Sequence, residues 1–387
     1  MSIRILVVDD EPDLELLIRQ KFRRQIREGE YDFCFAHNGV EAFSALCADH
    51  NIDIVLTDIN MPEMDGLTLL VKINELERVL KSVIISAYGD LDNIRTAMNR
   101  GAFDFLTKPI DFRDLEITIQ KTTSLITELK HAMAEHEQLE AIHHELDVAR
   151  EMQQAILPRK FSPFDGHPTI DLHARMIPAK EVGGDFYDFF FINDDQMGIV
   201  IADVSGKGIP AAMFMMVSRP LLKAEAISGT AANECLAKVN NLLCEDNESS
   251  MFVTLFYGIL NTRTGEMQFS NAGHNPPFVL RRAARRVEFI EKSGGMALGM
   301  FPDRKYTVRT MQFEPGDGLF LYTDGVTEAD SVDNGFFLEE RLRATLEKNQ
   351  DAPARQLTEE VVREVKSFAA GAPQSDDITT LAVRYNA

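Results

Sequence analysis

The chain has 387 residues, 45% of them hydrophobic and 26% charged, a globular composition too long for one ordinary core. Its 61 acidic residues outnumber 40 basic ones, for a net charge of -21. That balance disfavours general nucleic-acid binding, which relies on Lys and Arg neutralising phosphates, and docking on anionic membranes.

The opening "MSIRILVVDDE" has an apolar run of only four residues and lacks the flanks of a signal peptide. No apolar run approaches the ~18 residues of a membrane span. Cys34, Cys47, Cys235 and Cys244 form no C-x-x-C pair and read as reduced thiols of a cytoplasmic protein.

From residue 1 to about 122, short apolar runs alternate with amphipathic stretches: "ILVV", "DFCFA", "DIVLT", "SVIIS" and "DFLT". Such runs suit strands buried on both faces, so a doubly wound, flavodoxin-like parallel sheet is expected, with its ligand at the carboxyl ends of the strands. The first strand ends in Asp9 and Asp10, then Glu11; the third ends in Asp58, the fourth in Ser86, and the fifth leads to Lys108 before Pro109. Carboxylates meeting at one sheet edge repel one another unless a divalent cation lies between them, and hard oxygen donors suit Mg. A hydroxyl and an ammonium at the same edge complete a phosphate-binding ring. An Asp so held can attack phosphorus to give an acyl phosphate.

These residues resemble the receiver domain of bacterial response regulators over essentially all of 1–122. The resemblance implies that Asp58 is the phosphoacceptor and a sensor histidine kinase its partner. It also implies Mg held by Asp9, Asp10, Asp58 and the main-chain carbonyl of Asn60, with Ser86 and Lys108 on the phosphoryl oxygens. Phe105 is then the switch aromatic; a plain core position is the alternative.

Between 112 and 157 there is neither Gly nor Pro. Leu115, Thr118, Thr122, Leu125, Leu129, Ala132, His136, Leu139, and then Ile142, Leu146, Ala149, Gln153 and Ile156, recur at spacings of three and four. This is a weak coiled-coil seam with one phase slip. It predicts a linker helix over 123–157 that pairs in a parallel homodimer; an amphipathic helix packed on a neighbouring domain is the alternative.

After Pro158 the texture changes. Strand-like segments such as "QMGIVIADV", "FVTLFYGIL", "MQFSNAG", "GLFLYTD" and "ITTLAVRY" alternate with helical patterns near 208–228, 231–245, 338–348 and 353–369. "LNTRTGEM" and "LRRAARRVE" read as hairpins, so residues 158–387 form an α+β domain. Acids recur in "GGDFYD" (Asp185), "IADVSGKG" (Asp203), "LYTDG" (Asp324) and "SDDIT" (Asp376, Asp377). Singly, each is a turn former or a helix cap. Together they need a counter-charge that no nearby basic run supplies. Two hard divalent cations would supply it, and such a pair activates water for in-line displacement at phosphorus. The absence of a nucleophilic Cys or Ser motif agrees with attack by water.

These motifs, with "AREMQQAILP", "SNAGHNPP" and "GGMALGM", resemble the metal-dependent (PPM, two-C class) serine/threonine phosphatases of the RsbU/SpoIIE branch, over about 150–387. The resemblance implies a β-sandwich flanked by helices. Asp185, Asp203, Asp324 and Asp376 would hold two Mn or Mg ions with the Val204 carbonyl, Asp377 being the second choice for the last carboxylate. Lys207 stands where many relatives have His. Lys180 is either a phosphate ligand or a solvated side chain. His274 reads as a turn-stabilising residue rather than a ligand or acid, the Arg group at 281–286 as a solvated hairpin tip rather than a docking patch, and Asp188 as structural. The whole then reads as a response regulator with a phosphatase output, acting on a phosphorylated STAS-type anti-sigma-factor antagonist. A receiver-controlled scaffold with a non-catalytic output domain is the rival reading; the complete set of metal carboxylates opposes it.

Overall fold

The computed structural model describes residues 2–386, apart from 77, 88–89, 159–168, 246, 291–294 and 333–334. The Pro- and Gly-containing break after residue 158 therefore lies mostly outside the described residues. The chain divides into two compact units, Met1–Ile142 and His143–Ala387. Among the described residues no helix is long and apolar enough to cross a membrane.

In the first unit, β1 (Ile3–Val8), β2 (Tyr31–Ala36), β3 (Ile52–Asp58), β4 (Lys81–Ala87) and β5 (Asp104–Lys108) form one sheet in the order β2-β1-β3-β4-β5. Every pairing is parallel. The side-chain period of two sends Ile5, Val7, Ile54 and Leu56 to one core and Leu6, Val8 and Val55 to the other. This two-sided burial is why the strands read as unbroken apolar runs. Helices α1 (Pro12–Lys21), α2 (Arg23–Glu28), α3 (Gly39–Ala48), α4 (Gly66–Asn74) and α5 (Leu91–Asn99) connect them. The strand order reverses at β1, so the ends of β1 and β3 emerge side by side, where a ligand is expected in this topology.

The Gly- and Pro-free stretch forms one helix of 45 residues, α6 (Phe112–Ile156). Its ends are occupied within the chain. Leu115, Ile119 and Ile126 are buried in the core of the first unit, and Lys130 pairs with the buried Asp53. Near the other end, Gln153 is buried and its amide is paired with the backbone of Gly183. Leu115, Thr118, Thr122 and Gln153 of the expected seam are therefore spent on intramolecular packing, while Leu129, Leu139 and Ile142 remain exposed.

The second unit holds two antiparallel five-stranded sheets. One runs β13-β10-β9-β8-β7, built from β7 (Phe186–Phe191), β8 (Gln196–Val204), β9 (Val253–Asn261), β10 (Glu266–Ala272) and β13 (Arg309–Gln312). The other runs β12-β11-β14-β15-β6, built from β6 (Ile170–Ile177), β11 (Phe278–Arg281), β12 (Arg286–Phe289), β14 (Gly318–Tyr322) and β15 (Ile378–Tyr385). Ile199, Ile201, Leu255 and Tyr257 of the first sheet share a core with Leu319, Leu321 and Leu381 of the second. The alternate residues Phe320 and Tyr322 face outward and pack with Leu342, Leu346, Leu357 and Val361 of α10 (Leu338–Lys348) and α11 (Ala354–Ala369). Helices α7 (Ile209–Ile227) and α8 (Ala232–Cys244) cover the first sheet, and the short α9 (Asp324–Thr327) follows β14. The result is a sandwich flanked by helices. Both expected hairpins are present, as β9–β10 and β11–β12.

Candidate functional site

In the first unit, carboxylate oxygens of Asp9, Asp10 and Asp58 lie within 4.8 Å of one another. Lys108, at the end of β5, reaches across them: its Nζ is 2.6 Å from Asp58, 3.0 Å from Asp9 and 3.1 Å from Glu11. Burial pulls the Lys108 pKa down, but hydrogen bonds to Asp58, Asp9 and Glu11 together outweigh it and the net shift is upward. Asp9 shifts upward too, because burial exceeds the help it receives from the Glu11 amide and Lys108. One ammonium against four carboxylates leaves negative charge unbalanced, and the donors are all hard oxygens. The site fits Mg. The amide of Asn60 donates to Asp58 at 3.2 Å and fixes that carboxylate. Ser86 is buried, and its hydroxyl has no hydrogen-bond partner among the described residues. Phe105 is 41% exposed, which removes the plain-core alternative. Glu11 is a further partner of Lys108 that its place outside the strand end did not single out.

In the second unit, Asp203 is the penultimate residue of β8, Asp324 opens α9 directly after β14 and Thr323, Asp376 precedes β15, and Asp185 precedes β7. These acids act on one another. Burial first, then the charges of Asp324 and Asp376, push Asp203 up to about 7. Burial, then Asp376 and Glu328, push Asp324 up to about 6. Asp185 is held well above the usual carboxylate range by burial, then by Asp203 and Asp377. Four acids up to 191 positions apart in sequence (376 − 185) thus lie close enough to act on one another. Lys207 brings one ammonium, 2.8 Å from Asp376 and 2.6 Å from the Ser375 carbonyl, too little to balance them. A set of mutually repelling hard oxygens fits Mg or Mn.

Asp377 does a different job from the one considered for it. Its carboxylate already accepts from the amides of Gly184 at 2.7 Å, Ala179 at 2.8 Å and Asp185 at 3.3 Å. It pins the turn that carries Asp185 and is not a free ligand. The paired glycines permit this approach: a β-carbon at Gly183 would stand 2.3 Å from the Asp377 carboxylate. The stem of Lys180 passes over Gly208, in the loop that follows Asp203. The Arg hairpin is not simply solvated. Arg281 pairs with Asp317 at 2.8 Å, and Arg282 and Arg285 pair with Asp351 at 3.7 and 3.2 Å.

Three contacts escaped sequence reasoning. Thr323 donates its hydroxyl to Asp185, and His274 hydrogen-bonds to Thr254 and to the backbone of Tyr322. The residues lie inside "LYTDG" and "NAGHNPP", but neither motif names a partner that comes from another sheet.

Residues 5–120 match the family model described as response regulator receiver domain, and residues 193–386, just over half of the chain, match that of stage II sporulation protein E (SpoIIE). Protein IcfG of Synechocystis sp. is 33% identical over 269 residues, a match covering 62% of this chain and 42% of IcfG, so the chain spans less than half of that relative. The phosphoserine phosphatase RsbU of Bacillus subtilis is 30% identical over 235 residues, covering 59% of this chain and 68% of RsbU. The solved SiaA-PP2C domain of Pseudomonas aeruginosa shares the fold, with a TM-score of 0.58 at 24% identity over 64% of this chain and 99% of that one. With sandwich, acid constellation and matches in agreement, this chain belongs to the SpoIIE family, its matched region preceded in sequence by a response-regulator receiver domain.

Proposed function

We propose that this protein is a metal-dependent protein serine/threonine phosphatase under the control of its own receiver, and that its substrate is a phosphorylated STAS-type anti-sigma-factor antagonist in a partner-switching pathway. The observation that carries the activity is the neighbourhood of Asp185, Asp203, Asp324 and Asp376, in which burial and the other carboxylates hold Asp185, Asp203 and Asp324 above the usual carboxylate range. When bound, two Mn or Mg ions supply charge neutralisation and activate water for displacement at phosphorus. Asp185, Asp203, Asp324, Asp376 and the Val204 carbonyl would hold them. Asp377 and Thr323 keep Asp185 in place. The likeness to RsbU, whose name is phosphoserine phosphatase, supports the reaction class.

The input is phosphorylation of Asp58 by a sensor histidine kinase, with Mg to be held by Asp9, Asp10, Asp58 and the Asn60 carbonyl, and with Ser86, Lys108 and Phe105 reading the phosphoryl group. The domains run 1–122, 123–157 and 158–387. The linker pairs two copies in parallel through its exposed middle, Leu129, Leu139 and Ile142, in the cytoplasm. Its last turn binds Gly183, beside the turn of Asp185, which gives the linker a path to the site.

The test is phosphate release from a phosphorylated STAS domain by the full chain with Mn, with and without beryllofluoride. Asp324→Ala and Asp185→Ala are expected to fall to background, and beryllofluoride to change the rate only when Asp58 is intact. No turnover by the wild type, or equal turnover by Asp324→Ala, would overturn the activity. A rate indifferent to beryllofluoride would overturn receiver control.

A further inference from the structure

The motif "NAGH" has a structural purpose beyond its turn. Asn271 closes it with both ends of its amide, accepting from the His274 amide at 2.7 Å and donating to the His274 carbonyl at 3.0 Å. Gly273 takes a φ of 79°, the left-handed region that glycine tolerates best. The imidazole is thereby turned inward and is 5% exposed.

Both ring nitrogens are engaged. Nε2 lies 3.2 Å from the Tyr322 carbonyl, and Nδ1 lies 3.0 Å from the Thr254 hydroxyl. A carbonyl can only accept, so Nε2 carries the proton and Nδ1 accepts from Thr254. Thr254, on β9, is the register partner of Asp203 on β8, and its hydroxyl also stands 3.4 Å from the Asp203 carbonyl. Tyr322 ends β14, two residues before Asp324. β9 and β14 belong to different sheets. One rigid ring therefore ties the strand pair that carries Asp203 to the strand that presents Asp324.

We infer that His274 is a positioning residue that sets the spacing of Asp203 and Asp324 across the sandwich, and with it the affinity of the site for its metal ions. The inference rests on the metal-dependent reading of that site. It predicts a fault in metal binding, not merely in folding. A ring that only filled space would lower stability when removed and leave the metal affinity of the folded fraction unchanged.

The experiment is Mn binding by isothermal titration to the full chain, with thermal melting and Mn-dependent phosphatase rate measured on the same samples. His274→Ala is expected to weaken Mn binding about tenfold or more and to regain most of its rate at saturating Mn. His274→Gln, whose amide offers one donor and one acceptor, should lie between it and the wild type. Should His274→Ala not fold, Thr254→Val decides, since it removes the hydroxyl at one end and keeps the ring; a several-fold loss of Mn affinity is expected. Folded variants that bind Mn as tightly as the wild type overturn the inference. A wild type that binds Mn with these dependences but releases no phosphate overturns the phosphatase reading and leaves the positioning role standing. A wild type that binds no Mn overturns both.

Discussion

Thr323 donates a hydrogen bond of 2.7 Å to the Oδ2 of Asp185, a residue 138 positions away in sequence. The same hydroxyl oxygen accepts from the Thr379 amide at 3.0 Å, which orients its proton toward the carboxylate. A hydrogen bond to a charged group is worth roughly 1.5–3 kcal/mol, and losing it frees Asp185 to turn. Thr323→Val keeps the shape and removes the donor. It is expected to lower the Mn-dependent rate by about tenfold or more, while Thr323→Ser retains most of it. Steady-state rates with a phosphoserine substrate check this, and a fully active Thr323→Val would refute it.

Much of this site is legible in sequence because its acids sit at strand ends inside recognisable motifs. The receiver strands are legible for a related reason: burial on both faces writes them as apolar runs. The bonds of Thr323, Asp377 and His274 are not legible, because each depends on which strands the sandwich brings opposite one another. β6 was missed although "IDLHARMI" alternates apolar and polar residues over its first six positions, the period of a half-buried strand. The ends of α6 show the converse. The spacing of Leu115, Thr122 and Gln153 fits a coiled coil, yet the same periodicity serves packing within the chain.

The receiver makes a prediction about competition. Lys108 occupies the Asp58 oxygen at 2.6 Å, and a cation must share that oxygen with it. Lys108→Met removes the rival charge and leaves Asp9, Asp58 and Glu11 without their ammonium. Mg binding at this site should tighten by roughly 1 kcal/mol, about fivefold, from the removal of a like charge at contact distance. Titration of the full chain in the Asp324→Ala background isolates the receiver ion, and the gain should vanish when Asp58→Asn is added. A Lys108→Met chain with unchanged or weaker Mg binding would contradict the competition.

Asp188 tests a different part of the fold. It is 1% exposed on β7 and pairs with Arg219 of α7 at 2.8 Å, with Lys223 at 3.7 Å. Burial nevertheless raises its pKa against both cations, so desolvation exceeds what the pair returns. Asp188→Ala strands the guanidinium and is expected to cost about 3–5 kcal/mol. The double variant Asp188→Leu, Arg219→Met removes both charges and should recover most of that loss. Urea midpoints at constant slope measure both. A double variant no more stable than Asp188→Ala would show that the pair contributes more than its desolvation costs.

His274 carries the pH dependence. Burial pushes its imidazole down to about 4, against 6.5 for an unburied ring, and the Tyr322 carbonyl only partly opposes this. The groups at its nitrogens are the Thr254 hydroxyl and that carbonyl, neither of which takes up charge in this range. Between these two pKa values the unfolded chain binds a proton that the folded chain refuses. The stability held above pH 6.5 is therefore lost as the pH falls toward 4, on the order of 3 kcal/mol in all and about 2 kcal/mol by pH 5. Other groups titrate in the same window, so the comparison must be a difference. His274→Gln has no ring to protonate and should be less stable than the wild type at pH 7.5, with the gap closing as the pH is lowered to 5. Urea unfolding of the metal-free proteins at these pH values provides the measurement. A gap that stays constant with pH would mean that the ring is protonated as easily inside the fold as outside it, in conflict with a buried neutral imidazole donating from Nε2.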